Sequence, residues 1–174
     1  MVAPSESVYR AARRAFIAAC EAAHVDPIAR LHPSRGPDGK PLFMDCAALG
    51  PRLATRGVLV IAGDVPGSAI MIDLLKQNPI LPEDTRLVLV HALDPAAFAG
   101  VEADPAWPSA MLAVVATEDL SRVRNLDILP LNQLESGPIR ALSLARPEIV
   151  MTCHGPPPTT LDEAQALIAG IFGR

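Results

Sequence analysis

The chain has 174 residues; half are hydrophobic, 3% are aromatic and 20% are charged, and the net charge is −4. This length suits one domain whose core is built mainly from aliphatic side chains. A mildly acidic chain offers no clustered basic face, so we expect no nucleic-acid partner. No apolar run approaches the roughly 20 residues that cross a bilayer, and no apolar signal segment opens the chain, so we expect no membrane partner. The three cysteines contain no CxxC pair, which favours a reducing, cytoplasmic compartment without disulfides.

The N-terminal part of the sequence predicts a helix followed by a β-hairpin. Apolar residues at spacings of three and four indicate a helix over residues 5–24, with Ser5 as its N-cap. Two short strands are predicted over residues 28–32 and 42–49. Between them, the Gly-Pro-Asp-Gly run at residues 36–39 is typical of a tight turn.

The next part of the sequence predicts a βαβ unit. Residues 57–62 and 86–90 are continuous aliphatic runs, which are typical of parallel strands buried on both faces. Residues 68–77, between these runs, have apolar residues at helical spacing. We therefore expect two parallel strands joined by a crossover helix.

Two further strands and two further helices are predicted in the rest of the chain. Further strands are predicted within residues 111–116 and over 148–153, and further helices over 138–145 and 161–172. Residues 94–108 and 121–133 give no clear pattern. The fold class that follows is α/β: one three-layer domain over residues 1–174, with a mostly parallel or mixed central sheet, an N-terminal β-hairpin and helices on both faces.

Polar residues follow three of the predicted strands. Ligands in open α/β sheets bind beyond the carboxyl ends of the parallel strands. Asp64 and Ser68 follow the first buried run, His91 and Asp94 follow the second, and His154 follows the last strand. We expect Asp64, His91 and His154 to be the candidate catalytic residues, with Asp94 and Ser68 as candidate binding residues.

Each of these residues also has a structural interpretation. Asp64 or Ser68 can cap the helix that follows, and Asp94 stands before a proline, as in many turns and N-caps. His91 directly follows a buried run, which is equally typical of a hydrogen-bonded core histidine. His154 is the strongest functional candidate, because a glycine and three prolines place it in a rigid loop.

The sequence disfavours two other kinds of site, a phosphate-binding loop and a catalytic Cys-His pair. Residues 63–68 form a strand-to-helix turn with two glycines, but they lack both the P-loop ending and the three-glycine dinucleotide fingerprint. Cys153 and His154 are neighbours on a predicted strand, so their side chains point to opposite faces and are badly arranged for proton transfer.

The order of several segments resembles a known family. The segments are VYRAARRAFIAAC, LHPSRGPDGKPLFMDCAALGP, GVLVIAG and LVLVHALDPAAFA. In this order they are similar to the opening of an uncharacterised bacterial branch of the zinc carboxypeptidase superfamily, over roughly residues 8–100. Further on, LDILPLNQLESGPIRAL is similar to the family's Asn-Arg substrate-binding stretch, which implies a binding role for Asn132. PEIVMTCHG is similar to the strand that carries the third zinc ligand, which implies that role for His154.

The sequence departs from this family at its catalytic groups. The family holds zinc with a His-x-x-Glu motif directly after the first buried strand and with a later His, leaving one position open for water. Residues 62–68 of this chain contain neither His nor Glu, and Asn132 is followed by Gln133 instead of Arg. The sequence also ends about twenty residues after His154, before the segment that carries the family's general acid/base Glu.

These departures favour a fold retained without its chemistry. We expect a degenerate, truncated relative that is non-catalytic, has no cofactor and serves as a binding or assembly subunit, either as a homo-oligomer or with a protein partner. The main alternative is a small metal-assisted hydrolase of amides or esters with a rearranged site. That site would combine Asp64, His91, Asp94 and His154, with His154 as the residue that would bind a zinc ion. A third class left open is a regulatory protein that binds a small molecule at the same strand ends.

Overall fold

The computed structural model describes residues 7–173, which form six strands and six helices. In chain order these are α1 Val8–Ala22, β1 Ile28–Arg35, β2 Pro41–Leu49, β3 Arg56–Ala62, α2 Val65–Lys76, β4 Thr85–His91, α3 Pro95–Phe98, α4 Trp107–Glu118, β5 Asn125–Pro130, α5 Ser136–Ala145, β6 Val150–Cys153 and α6 Leu161–Phe172. None of the helices in this part of the chain is long and apolar enough to cross a membrane.

All six strands belong to one mixed sheet in the order β1-β2-β4-β3-β5-β6. β1 and β2 form the predicted antiparallel hairpin, and β2 pairs antiparallel with β4. The strands β4, β3, β5 and β6 are mutually parallel. The carboxyl ends of these four strands therefore lie along the same edge of the sheet.

Helices cover both faces of the sheet, as the sequence predicts. α1, α2 and α6 pack on one face, where alternate residues of β3 such as Val58 and Val60 contact them. α4 and α5 pack on the other face against the intervening residues, such as Leu59 and Ile61. Because helices cover both faces of the sheet, both sets of alternate side chains in its interior strands are buried. This explains the continuous aliphatic runs in the sequence.

Residues 111–116 are helical, so the strand predicted there is wrong. They lie within α4, where Leu112, Val115 and Ala116 are buried at helical spacing. Pro108 in the first turn has no N–H to leave unpaired, which suits a helix start. The strand that completes the sheet is instead β5, in a region to which the sequence analysis assigns no element. Its polar residues Asn125 and Asp127 interrupt the apolar run that would have revealed it.

The first helix begins later than predicted. α1 starts at Val8, and the side chain of Ser7 accepts a hydrogen bond from the backbone N–H of Arg10, as an N-cap does. The cap predicted at Ser5 lies outside the described residues. Tyr9, Phe16, Ala19 and Cys20 are buried along one side of α1, which confirms the predicted inward face.

Candidate functional site

The turn after β3 is held by local hydrogen bonds. Asp64 is the N-cap of α2, and its carboxylate accepts a hydrogen bond from the backbone N–H of Gly67 at 2.8 Å. Ser68 lies buried in the first turn of α2, where its Oγ is 2.7 Å from Nε2 of His91. Asp64 thus has the structural role that its capping preference indicates. A catalytic role for Asp64 and a binding role for Ser68 stay predictions.

His91 is enclosed in the core under α1. Its side chain is fully buried, and its ring stacks on Phe16 with a centroid distance of 4.7 Å and an interplanar angle of 9°. Burial, and to a smaller extent the positive charge of Arg13, lower the pKa of His91 to about 3. The imidazole is therefore neutral near pH 7. Nδ1 has no partner among the described residues, which favours a proton on Nε2 that is donated to Ser68, because a buried orphan N–H costs more than a buried lone pair.

A cavity of about 420 Å³ lies beyond the carboxyl ends of β3, β4 and β5. It opens between α3, α4 and the start of α5, on the face of the sheet that α4 and α5 cover. Its polar side chains are those of Asp94, Ser109, Asn132, Gln133 and Glu135. The cavity occupies the position at which open α/β sheets bind ligands.

Two of the predicted binding residues line this strand-end cavity. Asp94 caps α3 through hydrogen bonds from the N–H groups of Ala96 and Ala97, at 3.1 and 3.0 Å, and also faces the cavity. Asn132 donates from Nδ2 to the carbonyl of Gln133, whereas its buried Oδ1 has no partner within residues 7–173. Asp64, Ser68, His91 and His154 are not among the lining residues.

Glycine at position 63 makes room for Asn132. A Cβ atom on Gly63 would lie 2.9 Å from Asn132 Nδ2, closer than side chains approach in proteins. The absence of a side chain at the end of β3 therefore allows the amide to lie over the strand end. This close approach links the two segments that form the floor of the cavity.

The starts of two helices also border the cavity. Ser109 belongs to the first turn of α4 and Gly137 to the first turn of α5. Neither N-cap residue, Ala106 or Glu135, caps its helix with its side chain. The N–H groups of a first turn carry partial positive charge, so these two helix starts favour a negatively charged or hydrogen-bond-accepting ligand group.

His154 forms a pair with Asp127 at a different place on the sheet. Its Nε2 lies 2.6 Å from Oδ1 of Asp127 on β5, and its backbone N–H donates to the carbonyl of Ile128 at 2.8 Å. The two side chains are 14% and 20% exposed, so solvent reaches the pair. Asp127 was not predicted as a site residue, although a single acidic residue within the run LDILPL was a visible signal.

The described residues do not fit a catalytic zinc ion. Such a site uses three protein ligands and one open position. Within residues 7–173, no three His, Cys, Asp or Glu side chains lie close enough together to share an ion. At the turn where the zinc carboxypeptidase family, which the sequence resembles, has its His-x-x-Glu motif, the carboxylate of Asp64 caps α2.

The fold and the cavity define an α/β protein with a mixed open sheet, helices on both faces and a cavity beyond the parallel strand ends. The chain belongs to the DUF2817 family of proteins of unknown function, whose family model matches residues 6–102. No curated protein sequence matches the chain.

Solved structures agree with this fold. A proposed Zn-dependent exopeptidase from Bacteroides vulgatus has 10% identity and a TM-score of 0.55, over 97% of this chain and 86% of that one. A glutaminyl cyclase from Porphyromonas gingivalis has 12% identity and a TM-score of 0.50, over 72% of this chain. The match spans only 54% of that cyclase, about half its length. At these identities the likeness shows the fold alone.

Proposed function

We propose that this chain is a non-catalytic, peptidase-like binding subunit whose ligand occupies the strand-end cavity. One observation carries the proposal: the cavity is lined by polar side chains, but no histidine lies among its lining residues. Of the two histidines expected there, His91 is enclosed in the core and His154 pairs with Asp127 elsewhere. The site therefore has groups that bind and orient a molecule but lacks the histidine that most often acts as a general base.

The cavity lining favours a small zwitterionic ligand, such as an amino acid or the end of a peptide. The first turn of α5, with the backbone N–H and hydroxyl of Ser109 in α4, suits a carboxylate. The other first-turn residues of α4 offer no donor, because the N–H of Trp107 donates to the carbonyl of Asp104 and Pro108 has none. The carboxylates of Asp94 and Glu135 suit an ammonium group or another donor. The orphan Oδ1 of Asn132 offers one further acceptor for a ligand N–H.

The experiment is calorimetric titration of the purified chain with a panel of free amino acids and dipeptides. Gly137→Leu places a side chain in the cavity, and its Cβ has room, because the nearest atom, Ser109 Oγ, is 3.6 Å away. Gly170→Leu is the matched control, a glycine on α6 whose Cβ would meet nothing within 4 Å. We expect at least one member of the panel to bind, Gly137→Leu to weaken it about tenfold or more, and Gly170→Leu to leave it unchanged. Absence of saturable binding across the panel, or equal effects of the two variants, would refute the proposal.

We also propose that the subunit self-associates through β6. This strand forms an edge of the described sheet, contains no charged residue, and leaves Val150 66% exposed. The opposite edge, β1, carries Arg30, Pro33 and Arg35, which are residues that discourage edge pairing. Sedimentation of the native chain should show a dimer that Val150→Lys converts to a monomer. A native chain that stays monomeric at high concentration contradicts the assembly role.

A second candidate function is a small hydrolase of amides or esters, and the pair His154–Asp127 favours it. A carboxylate that holds one ring nitrogen of a histidine orients the ring, as in many catalytic bases. Panels of ester and amide substrates, with and without added zinc, test this function. Turnover that disappears in His154→Ala would establish it over the binding role, and absence of turnover under both conditions would remove it.

A further inference from the structure

A second cavity lies on the opposite face of the sheet from the strand-end cavity. It has a volume of about 380 Å³ and opens between α2 and α6. Its floor is formed by Val60, Leu87 and Leu89 of the sheet, all buried. Ile61, the next residue of β3, lines the strand-end cavity instead. Because consecutive strand residues point to opposite faces, the α2–α6 cavity is a separate site.

Three segments enclose the α2–α6 cavity above this floor. Leu74 and Leu75 of α2 form one wall, and Ile168 and Phe172 of α6 form the other. The loop after α2 closes one end and carries Ile80. The volume is within the range of about 300 to 1,000 Å³ that small-molecule sites occupy, and an apolar lining is typical of such sites.

Ile80 is unusual for a large aliphatic residue, because its side chain is 93% exposed at the rim of the cavity. A solvent-exposed isoleucine contributes nothing to the packing of the native core. A bound molecule with an apolar surface would give this side chain a partner and remove it from water.

The lining contains no ionisable side chain among its thirteen residues. Its polar side chains are three amides, those of Gln77, Asn78 and Gln165. Gln165 Nε2 donates to Gln77 Oε1, and this bond links α6 to α2 across the rim. A charged ligand would lose its hydration without gaining a counter-charge, whereas side-chain amides can both donate to and accept from a neutral polar group.

We propose that the α2–α6 cavity binds a small neutral molecule with an apolar body and one carbonyl, amide or hydroxyl head. The apolar body lies on Leu87 and Leu89, and the head hydrogen-bonds to the amides at the rim. Ile80 covers the bound molecule. The depth of the cavity, down to the sheet itself, suits a small molecule better than the surface of a protein partner.

Fluorescence titration with 6-propionyl-2-(dimethylamino)naphthalene tests this site, because the dye is neutral, apolar and carries one carbonyl. Ala169→Trp fills the cavity, since Ala169 is an exposed lining residue of α6. Ala166→Trp is the matched control, an exposed alanine of the same helix outside the lining. We expect saturable binding with a blue-shifted emission, weakened about tenfold or more by Ala169→Trp and less than about twofold by Ala166→Trp.

Ile80→Asp provides a second variant that loses no packing in the native state. It should weaken dye binding several-fold, whereas Leu53→Asp, at an aliphatic residue that is 71% exposed and outside the lining, should not. Gly137→Leu in the strand-end cavity should leave dye binding unchanged, which separates this site from the proposed function.

Three results would overturn the proposal. The first is absence of saturable binding, and the second is an equal loss in the two tryptophan variants. The third is equally tight binding of the anionic dye 1-anilinonaphthalene-8-sulfonate, which would contradict a neutral ligand. Self-association that Ala169→Trp abolishes, in the absence of dye binding, would assign the cavity to a second copy of the chain instead.

Discussion

His91 and His154 have similar positions in the chain and opposite environments in the fold. Each lies at the carboxyl end of a parallel strand and has a polar partner at hydrogen-bond distance, Ser68 for His91 and Asp127 for His154. The side chain of His91 is fully buried, whereas that of His154 is 14% exposed. A histidine at a strand end is therefore not by itself a sign of a site, because the layer above the strand decides whether solvent reaches it.

The order of the strands explains the difference. β4 lies in the interior of the sheet, and Phe16 of α1 covers its carboxyl end. β6 lies at an edge, and its residue Val150 is 66% exposed. The same kind of residue is thus part of the core in one strand and reached by solvent in the other.

The largest difference between the two histidines should appear in the stability of the fold. His91→Ala removes a buried ring stacked on Phe16 and leaves a cavity, so we expect a loss of about 3 kcal/mol in the free energy of unfolding. Urea denaturation followed by circular dichroism measures this loss. A change below about 1 kcal/mol would show that His91 is not the packing residue that the structure indicates.

The pH dependence of stability should also come from His91. Its pKa is lowered to about 3 in the fold by burial and by Arg13, against about 6.5 for an unfolded chain. As the pH falls, the unfolded state therefore binds a proton at a higher pH than the folded state. The stabilisation of the folded state that comes from a neutral His91 is complete above pH 6.5 and is lost toward pH 3. Between pH 6 and pH 4, His91 should reduce the free energy of unfolding by about 1.4 kcal/mol per pH unit.

The measurement for this second prediction is urea denaturation of the native chain and of His91→Phe at several pH values. The difference between the two curves of unfolding free energy against pH gives the contribution of His91 alone. The nearby carboxyl of Asp45, whose pKa is raised by burial, is present in both proteins and cancels. Phenylalanine keeps the stacking on Phe16 and removes the titrating group. Parallel curves for the two proteins would contradict the assignment.

The strands of the interior could be predicted from the sequence because their signal is local. β3 and β4 are aliphatic along their whole length, and Asp64 stands where a helix cap is expected. β5 was not predicted as a strand because the polar residue Asp127 interrupts its apolar run. Part of α4 was predicted as a strand because its sequence is rich in aliphatic residues.

The candidate site was harder to predict than the fold because it depends on contacts between distant residues. Ser109 and Glu135 come together only when α4 and α5 both start at the strand ends. The pair of Asp127 and His154 joins residues 27 positions apart and depends on the pairing of β5 with β6. In addition, the sequence ranks His154 above His91 only by their neighbouring residues, whereas the burial of each ring depends on the strand order.

The smallest effect on stability should come from His154. Removing its ring in His154→Ala breaks the contact with Asp127, but both side chains are partly exposed and Asp127 makes a further interaction in the fold. Exposed ion pairs and their neutral equivalents contribute about 0 to 1 kcal/mol, so the free energy of unfolding should change by less than about 1 kcal/mol. Urea denaturation beside His91→Ala measures it under the same conditions. A loss as large as that of His91→Ala would mean that the pair is a structural tie between β5 and β6, and the contrast between a covered and an open histidine would then fail.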